Sequence, residues 1–153
     1  MKFLFCRIIK EDIFREVVTR EGEQISRKIG AAINAVSSPS EKLAVYVTVA
    51  NQAIHETENY FHLLMDEWFE IFDFTDEVRR KKEDHGIETV AAIIREGNQT
   101  GEFCVEDPEK CARAITSALT GFWFSLGSVR FGAAPDESIS AFIRIILNGL
   151  LKR

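Results

Sequence analysis

An all-α fold of six helices is predicted by three features of the 153-residue sequence. Apolar residues recur at three- and four-residue steps through most of the chain, and the breaks between these stretches carry Pro, Gly, Ser and Asp in helix-capping order. No two runs show the alternation and tight-turn chemistry of a β-hairpin. A composition of 46% hydrophobic and 28% charged residues, without low-complexity or repeating segments, suits one domain with a continuous core.

The first helix is predicted from about Lys10 to Val36, where Ile13, Phe14, Val17, Val18, Ile25, Ile29, Ile33 and Val36 share one face. SSPSEK breaks it, because Pro39 lacks an amide donor and disfavours helix in the residue before it, while the serines can cap a new helix. The second helix, Glu41 to about Ile54, carries Leu43, Tyr46, Val47, Ala50 and Ile54 inward. Its β-branched run AVYVTVA would also suit a strand, but no partner strand is legible elsewhere. TENYFHLLMDEWFEIFDF forms an aromatic-rich, acidic third helix bearing Tyr60, Phe61, Leu64, Met65, Trp68, Phe69 and Phe72.

A fourth helix starts at Asp73 or Thr75 and runs to about Asn98, with Val78, Ile87, Val90, Ala91 and Ile94 inside. Gly86 in its middle costs about 1 kcal/mol against alanine, which points to a kink or a close approach there. In IREGNQTGEF, Gly97 or Asn98 is expected to take the left-handed conformation that closes the helix. Gly101 then allows a turn, and Phe103 folds back onto the apolar side.

Asp107 as N-cap and Pro108 at the first helical position start the fifth helix, which reaches about Ser128 and is apolar or small on nearly every side. Gly-Ala-Ala-Pro at 132–135 precedes the sixth, from Asp136 to about Leu151, with a wide stripe of Ile139, Phe142, Ile143, Ile146, Leu147 and Leu150. Two such helices ending a short chain offer more apolar surface than one domain covers, so a homodimer is expected through them. The interface residues are taken as Ala118, Phe122, Phe142, Ile143, Ile146 and Leu150, with packing inside one chain as the competing role of each.

Charge and cysteine usage narrow the function classes. A net charge of −5 opposes general attraction to nucleic acid. The basic cluster Arg79 to Lys82 lies among Asp76, Glu77, Glu83 and Asp84, as in a solvated face laced with ion pairs. Cys6, Cys104 and Cys111 have neither even number nor CxxC spacing, so free buried thiols are expected. The opening MKFLFCRII is too short and too early interrupted by Arg7 for a signal sequence, and no apolar run approaches a membrane span. A cytoplasmic location with no membrane partner is expected.

Four phrases in order, KEDIFREVV, SSPSEKL, IIREGNQTGEF and DPEKCARAITSALTGFWF, resemble the regulatory domain of TetR-family transcriptional repressors. Lys10, Glu11, Asp12, Ile13 and Phe14 stand where that family opens its long connecting helix. Glu96, Gly97, Gly101, Glu102 and Phe103 reproduce its Glu-Gly and Gly-Glu-Phe signature. The resemblance spans roughly residues 10–151. It implies an all-helical body, a four-helix dimer bundle built from the last two helices of each subunit, and a small-molecule pocket between the middle helices. Effector binding there shifts DNA-reading heads, so effector and operator affinities are linked.

Candidate pocket residues are Tyr46, Ala50 and Ile54 from the second helix and Phe61, Leu64 and Trp68 from the third. Val90, Ala91 and Ile94 come from the fourth, and Thr116, Thr120 and Trp123 from the fifth. Core packing competes for each residue singly; as a set they suit a small apolar or aromatic effector. His55, Glu58 and His62 share a helical face only if no break falls near Thr57, so no metal and no cofactor are expected. Cys111 near a helix N-terminus could have a lowered pKa, but nothing fixes a Cys-His pair and phosphate-cradling glycine motifs are absent. The protein is not expected to be an enzyme.

The departure from the family lies at the start. Residues 1–9 stand where a three-helix head is expected, and they contain no helix-turn-helix, so these residues are read as a remnant or substitute of that head. Residues 10–153 then form the effector-binding and dimerisation domain, and this chain alone is not expected to bind DNA. The alternative is an interaction module that heterodimerises with a full-length regulator.

Overall fold

The computed structural model describes residues 2–56, 75–127 and 135–151. Five helices occupy them: α1 (Lys2–Asn34), α2 (Pro39–Glu56), α3 (Thr75–Thr100), α4 (Pro108–Gly127) and α5 (Pro135–Leu150). The helix expected over 57–74 lies outside the described residues.

α1 begins at Lys2 rather than Lys10. KFLFCRII contains neither Gly nor Pro, so nothing interrupts helical propagation into KEDIF. The helix ends at Asn34, two residues before Val36, because its last turn tightens. Ala35 N–H donates to Ala32 C=O at 3.2 Å and Val36 N–H to Ile33 C=O at 3.3 Å, satisfying carbonyls that an α-helix leaves open.

The capping expected of SSPSEK is a reciprocal pair. Glu41 N–H donates to Ser38 Oγ at 3.1 Å, and Ser38 N–H donates to Glu41 Oε2 at 3.3 Å. Pro39 takes the first helical position, where its missing donor costs nothing. Asp107 plays the same part for α4: its Oδ1 accepts from Lys110 N–H at 3.0 Å.

The α3 terminus corrects the expectation. The helix runs through Gly97 and Asn98 to Thr100, and the left-handed residue is Gly101, at φ 77°. Gly97 is instead a site of close approach. A Cβ there would lie 2.0 Å from Phe103 Cδ2, so the ring occupies the notch that glycine leaves. Phe103 does fold back, at 2% exposure, and its N–H donates to Gly97 C=O at 2.9 Å.

The core runs through four helices. Leu43 and Val47 of α2, Val90 and Ile94 of α3 and Leu119 of α4 are fully buried, and Ile139 and Leu150 of α5 join them. Ion pairing of Lys42 with Glu96, at 2.6 Å, and the approach of Tyr46 to Gly86 show that α2 and α3 run antiparallel. α4 packs on α3, α5 packs on α2, and α1 lies across α2 and α3. An isolated antiparallel bridge between Phe103 and Leu151 joins the α3–α4 loop to the C-terminal end of α5.

Candidate functional site

Of the candidate pocket residues, Tyr46 of α2 and Val90, Ala91 and Ile94 of α3 are brought together in one buried cluster where these helices pack, and Ala50 of α2 is buried outside it. Thr116 and Thr120 of α4 lie one helical turn apart. Their hydroxyls are already engaged: Thr116 Oγ1 donates to Ala112 C=O at 3.0 Å, and Thr120 Oγ1 to Thr116 C=O at 2.9 Å. Ile54 and Trp123 lie on α2 and α4, but their side chains, and all of Phe61, Leu64 and Trp68, fall outside the described residues.

Gly86 meets Tyr46 without a break in α3. A Cβ at Gly86 would lie 3.0 Å from the Tyr46 hydroxyl oxygen, so the missing side chain admits the phenol between the helices. Burial pushes this phenol from its ordinary 10.0 up to about 12, because an anion there would lose its hydration without gaining a partner.

One buried polar group has no counterpart in the pattern read from sequence. Asn51 is 4% exposed, between Ala50 and Ala53 on α2, and its Oδ1 has no hydrogen-bond partner among the described residues. Such an atom costs about 1–3 kcal/mol in an apolar interior. The signal available in the sequence was the amide pair Asn51-Gln52 within VTVANQAI, whose first member follows Ala50 of the apolar face. Outside this region, α3 presents an open groove of about 420 Å³ to α1 and α2, between Ile33, Lys42, His85, Glu88 and Ile93. It contains none of the candidate pocket residues.

On the dimer candidates, Leu150 is 7% exposed and belongs to the chain's own core. Phe122 and Phe142 stack with centroids 5.8 Å apart and stay half-buried, as do Ile143 and Ile146, while Ala118 is exposed. Ile145, which is not part of the stripe, is 71% exposed. On α4, Ala114, Ala118 and Gly121 form an exposed stripe of small residues at helical spacing.

The thiols also correct the expectation. Cys104 is exposed and Cys111 half-buried, and burial raises the Cys111 pKa instead of the helix terminus lowering it. No three metal-ligating side chains cluster among the described residues, where Glu58 and His62 are not included and the His55 side chain is not described. Lys81 pairs with Glu77 at 2.8 Å, one turn away, as expected of a solvated basic cluster. No helix among the described residues is long and apolar enough to cross a membrane.

An all-helical body is the class these features define, and solved structures share its fold. A transcriptional regulator from Cytophaga hutchinsonii superposes with a TM-score of 0.75 at 16% identity, over 94% of this chain and 77% of that one. The TetR-family transcriptional regulator PfmR from Thermus thermophilus gives 0.70 at 23% identity, over 94% and 78%. A Rhodococcus protein of unknown function gives 0.67 at 13% identity, over 91% and 72%. No curated protein matches the sequence significantly. Residues 36–150 match the family described as the tetracyclin repressor-like C-terminal domain, and the chain belongs to that family, a regulatory and non-enzymatic one.

Proposed function

We propose that residues 10–153 form the effector-sensing and dimerisation body of a TetR-like regulator. In this reading a small apolar or aromatic molecule is held between α2, α3 and α4, and two copies associate through α4 and α5. The observation that carries the reading is the outer face of α5. Ile145 is 71% exposed beside half-buried Phe142 and Ile146, and α4, joined to α5 by the Phe122–Phe142 stack, carries the exposed Ala114, Ala118 and Gly121 stripe that lets a second helix approach closely. Asn51 Oδ1 supplies the effector site with an unmatched acceptor in an otherwise apolar wall.

Residues 2–9 continue α1 as helix, and the 153 residues carry a charge of −5. By themselves they have no operator affinity in this reading. Light scattering tests the association directly: a dimer is expected at tens of micromolar, and Ile145→Glu should yield a folded monomer. A monomeric parent chain would overturn the dimer, and a thermal-shift screen of aromatic and aliphatic compounds without any response would overturn the sensor.

A further inference from the structure

The segment 97–105 makes hydrogen bonds to three helix ends at once. α2 has two free amides in its first turn, since Pro39 has none. Ser38 takes that of Glu41, and the other, Ser40 N–H, donates to Glu102 Oε1 at 3.2 Å, across 62 positions of sequence. The loop itself is pinned to the end of α3. Asn98 Nδ2 donates to Val105 C=O at 2.8 Å, and Val105 N–H donates to Asn98 Oδ1 at 3.0 Å. Phe103 fills the Gly97 notch between these bonds. At the far side, Cys104 N–H donates to Leu150 C=O at 3.1 Å, closing the end of α5.

We infer that this segment is a clasp that couples the position of α2 to the carboxyl end of α5. Glu102 by its carboxylate, Phe103 by its ring and Cys104 by its backbone amide engage α2, α3 and α5 in turn, on a loop pinned to α3 by the Asn98–Val105 bonds. A shift of the α2 amino end relative to α3 therefore pulls Glu102, tilts the Phe103 ring in its notch and strains the Cys104–Leu150 bond. The two ends of the clasp belong to different parts of the protein as proposed above: α2 lines the sensor, and α5 forms the dimer face. The clasp rests on that reading for its purpose, whereas the coupling itself is a property of the single chain. Coupling of this kind is reciprocal, so loosening either end loosens the other.

Hydrogen exchange on the full chain tests it. Glu102→Ala, once shown by circular dichroism to be folded, is expected to speed exchange about fivefold or more at both Ser40 and Cys104. Glu102→Gln keeps an acceptor for Ser40 N–H and should stay close to the parent at both amides. Asn98→Ala touches neither Ser40 nor Leu150, and it should release both ends. Faster exchange confined to Ser40 in Glu102→Ala, with Cys104 at the parental rate, overturns the clasp. So does an Asn98→Ala variant in which Ser40 keeps its protection. Light scattering on the same samples reports the dimer separately, so a coupled but monomeric chain would remove the dimer reading and leave the clasp standing.

Discussion

Gly97→Ala separates helix propensity from tertiary packing, because the two predict opposite signs. Gly97 lies in the last turn of α3 with helical backbone, where alanine would add about 1 kcal/mol of stability by propensity alone. Its new Cβ, however, would stand 2.0 Å from Phe103 Cδ2, 2.6 Å from Cγ and 2.7 Å from Cε2. These are ring atoms of a side chain 2% exposed, and they cannot yield by rotating a flexible tip. The ring must leave the notch. Exposing a buried phenylalanine costs about 1.5–3 kcal/mol, and the Phe103 and Cys104 amide bonds to Gly97 and Leu150 loosen with it, at about 1 kcal/mol each. After the propensity gain, Gly97→Ala should destabilise by about 2–4 kcal/mol. Urea unfolding followed by circular dichroism at one fixed protein concentration measures it, since association would otherwise shift the midpoint. Phe103→Ala should cost about 3–5 kcal/mol. In that background Gly97→Ala should change sign and stabilise by about 0.5–1 kcal/mol, a coupling that a double-mutant cycle reads directly. A neutral or stabilising Gly97→Ala in the parent chain would refute the notch.

Three further outcomes rest on single groups. The Tyr46 phenol has its folded pKa raised above the unfolded 10.0, so its contribution is complete below pH 10 and is lost as pH rises through about 12. Its full loss is worth about 2–3 kcal/mol. Urea midpoints at pH 8 and pH 11.5 should fall further for the parent than for Tyr46→Phe, and equal falls would show that the phenol is hydrated. Asn51→Leu removes an orphaned acceptor and should stabilise the chain by about 1–2 kcal/mol in thermal melts, whereas a loss of that size would mean that the amide is satisfied. The Asp107 carboxyl is held below its ordinary 3.8, first by the Lys110 backbone amide and then by the Lys110 side chain. Its capping is present above pH 3.8 and fades as pH falls through the lower folded value. Asp107→Ala should accordingly lower the melting temperature at pH 7, and the difference should shrink as pH falls below 3.8.

How much could be read beforehand depended on the range of the physics. Ser38, Pro39 and Glu41, and likewise Asp107 and Pro108, act on amides within three residues, so their spacing alone announces a helix start. The apolar face of α2 was legible for the same reason, and Leu43, Tyr46, Val47 and Ala50 are all buried. The stripe of α5 was legible too, since Ile139, Phe142, Ile143, Ile146, Leu147 and Leu150 all lie in or against the core, but not the depth of each residue. A helix between a core and an open face is apolar on both sides, so periodicity could not say that Ile139 and Leu150 turn inward while Ile145 stays in water.

The sequence by itself determined an all-helical chain and the starts of α2 and α4, because capping and amphipathic periodicity are written within a few residues, and four of its phrases carried the resemblance to a regulatory family. Only the tertiary structure decided what the glycines are for. Gly97 and Gly86 sit in helices that would prefer alanine, and each makes sense only once Phe103 and Tyr46 arrive at the empty side. The bond from Ser40 to Glu102 was equally invisible. A carboxylate 62 positions away completes a helix cap only after the packing of α2, α3 and α5 has placed it there, and no local pattern encodes that distance.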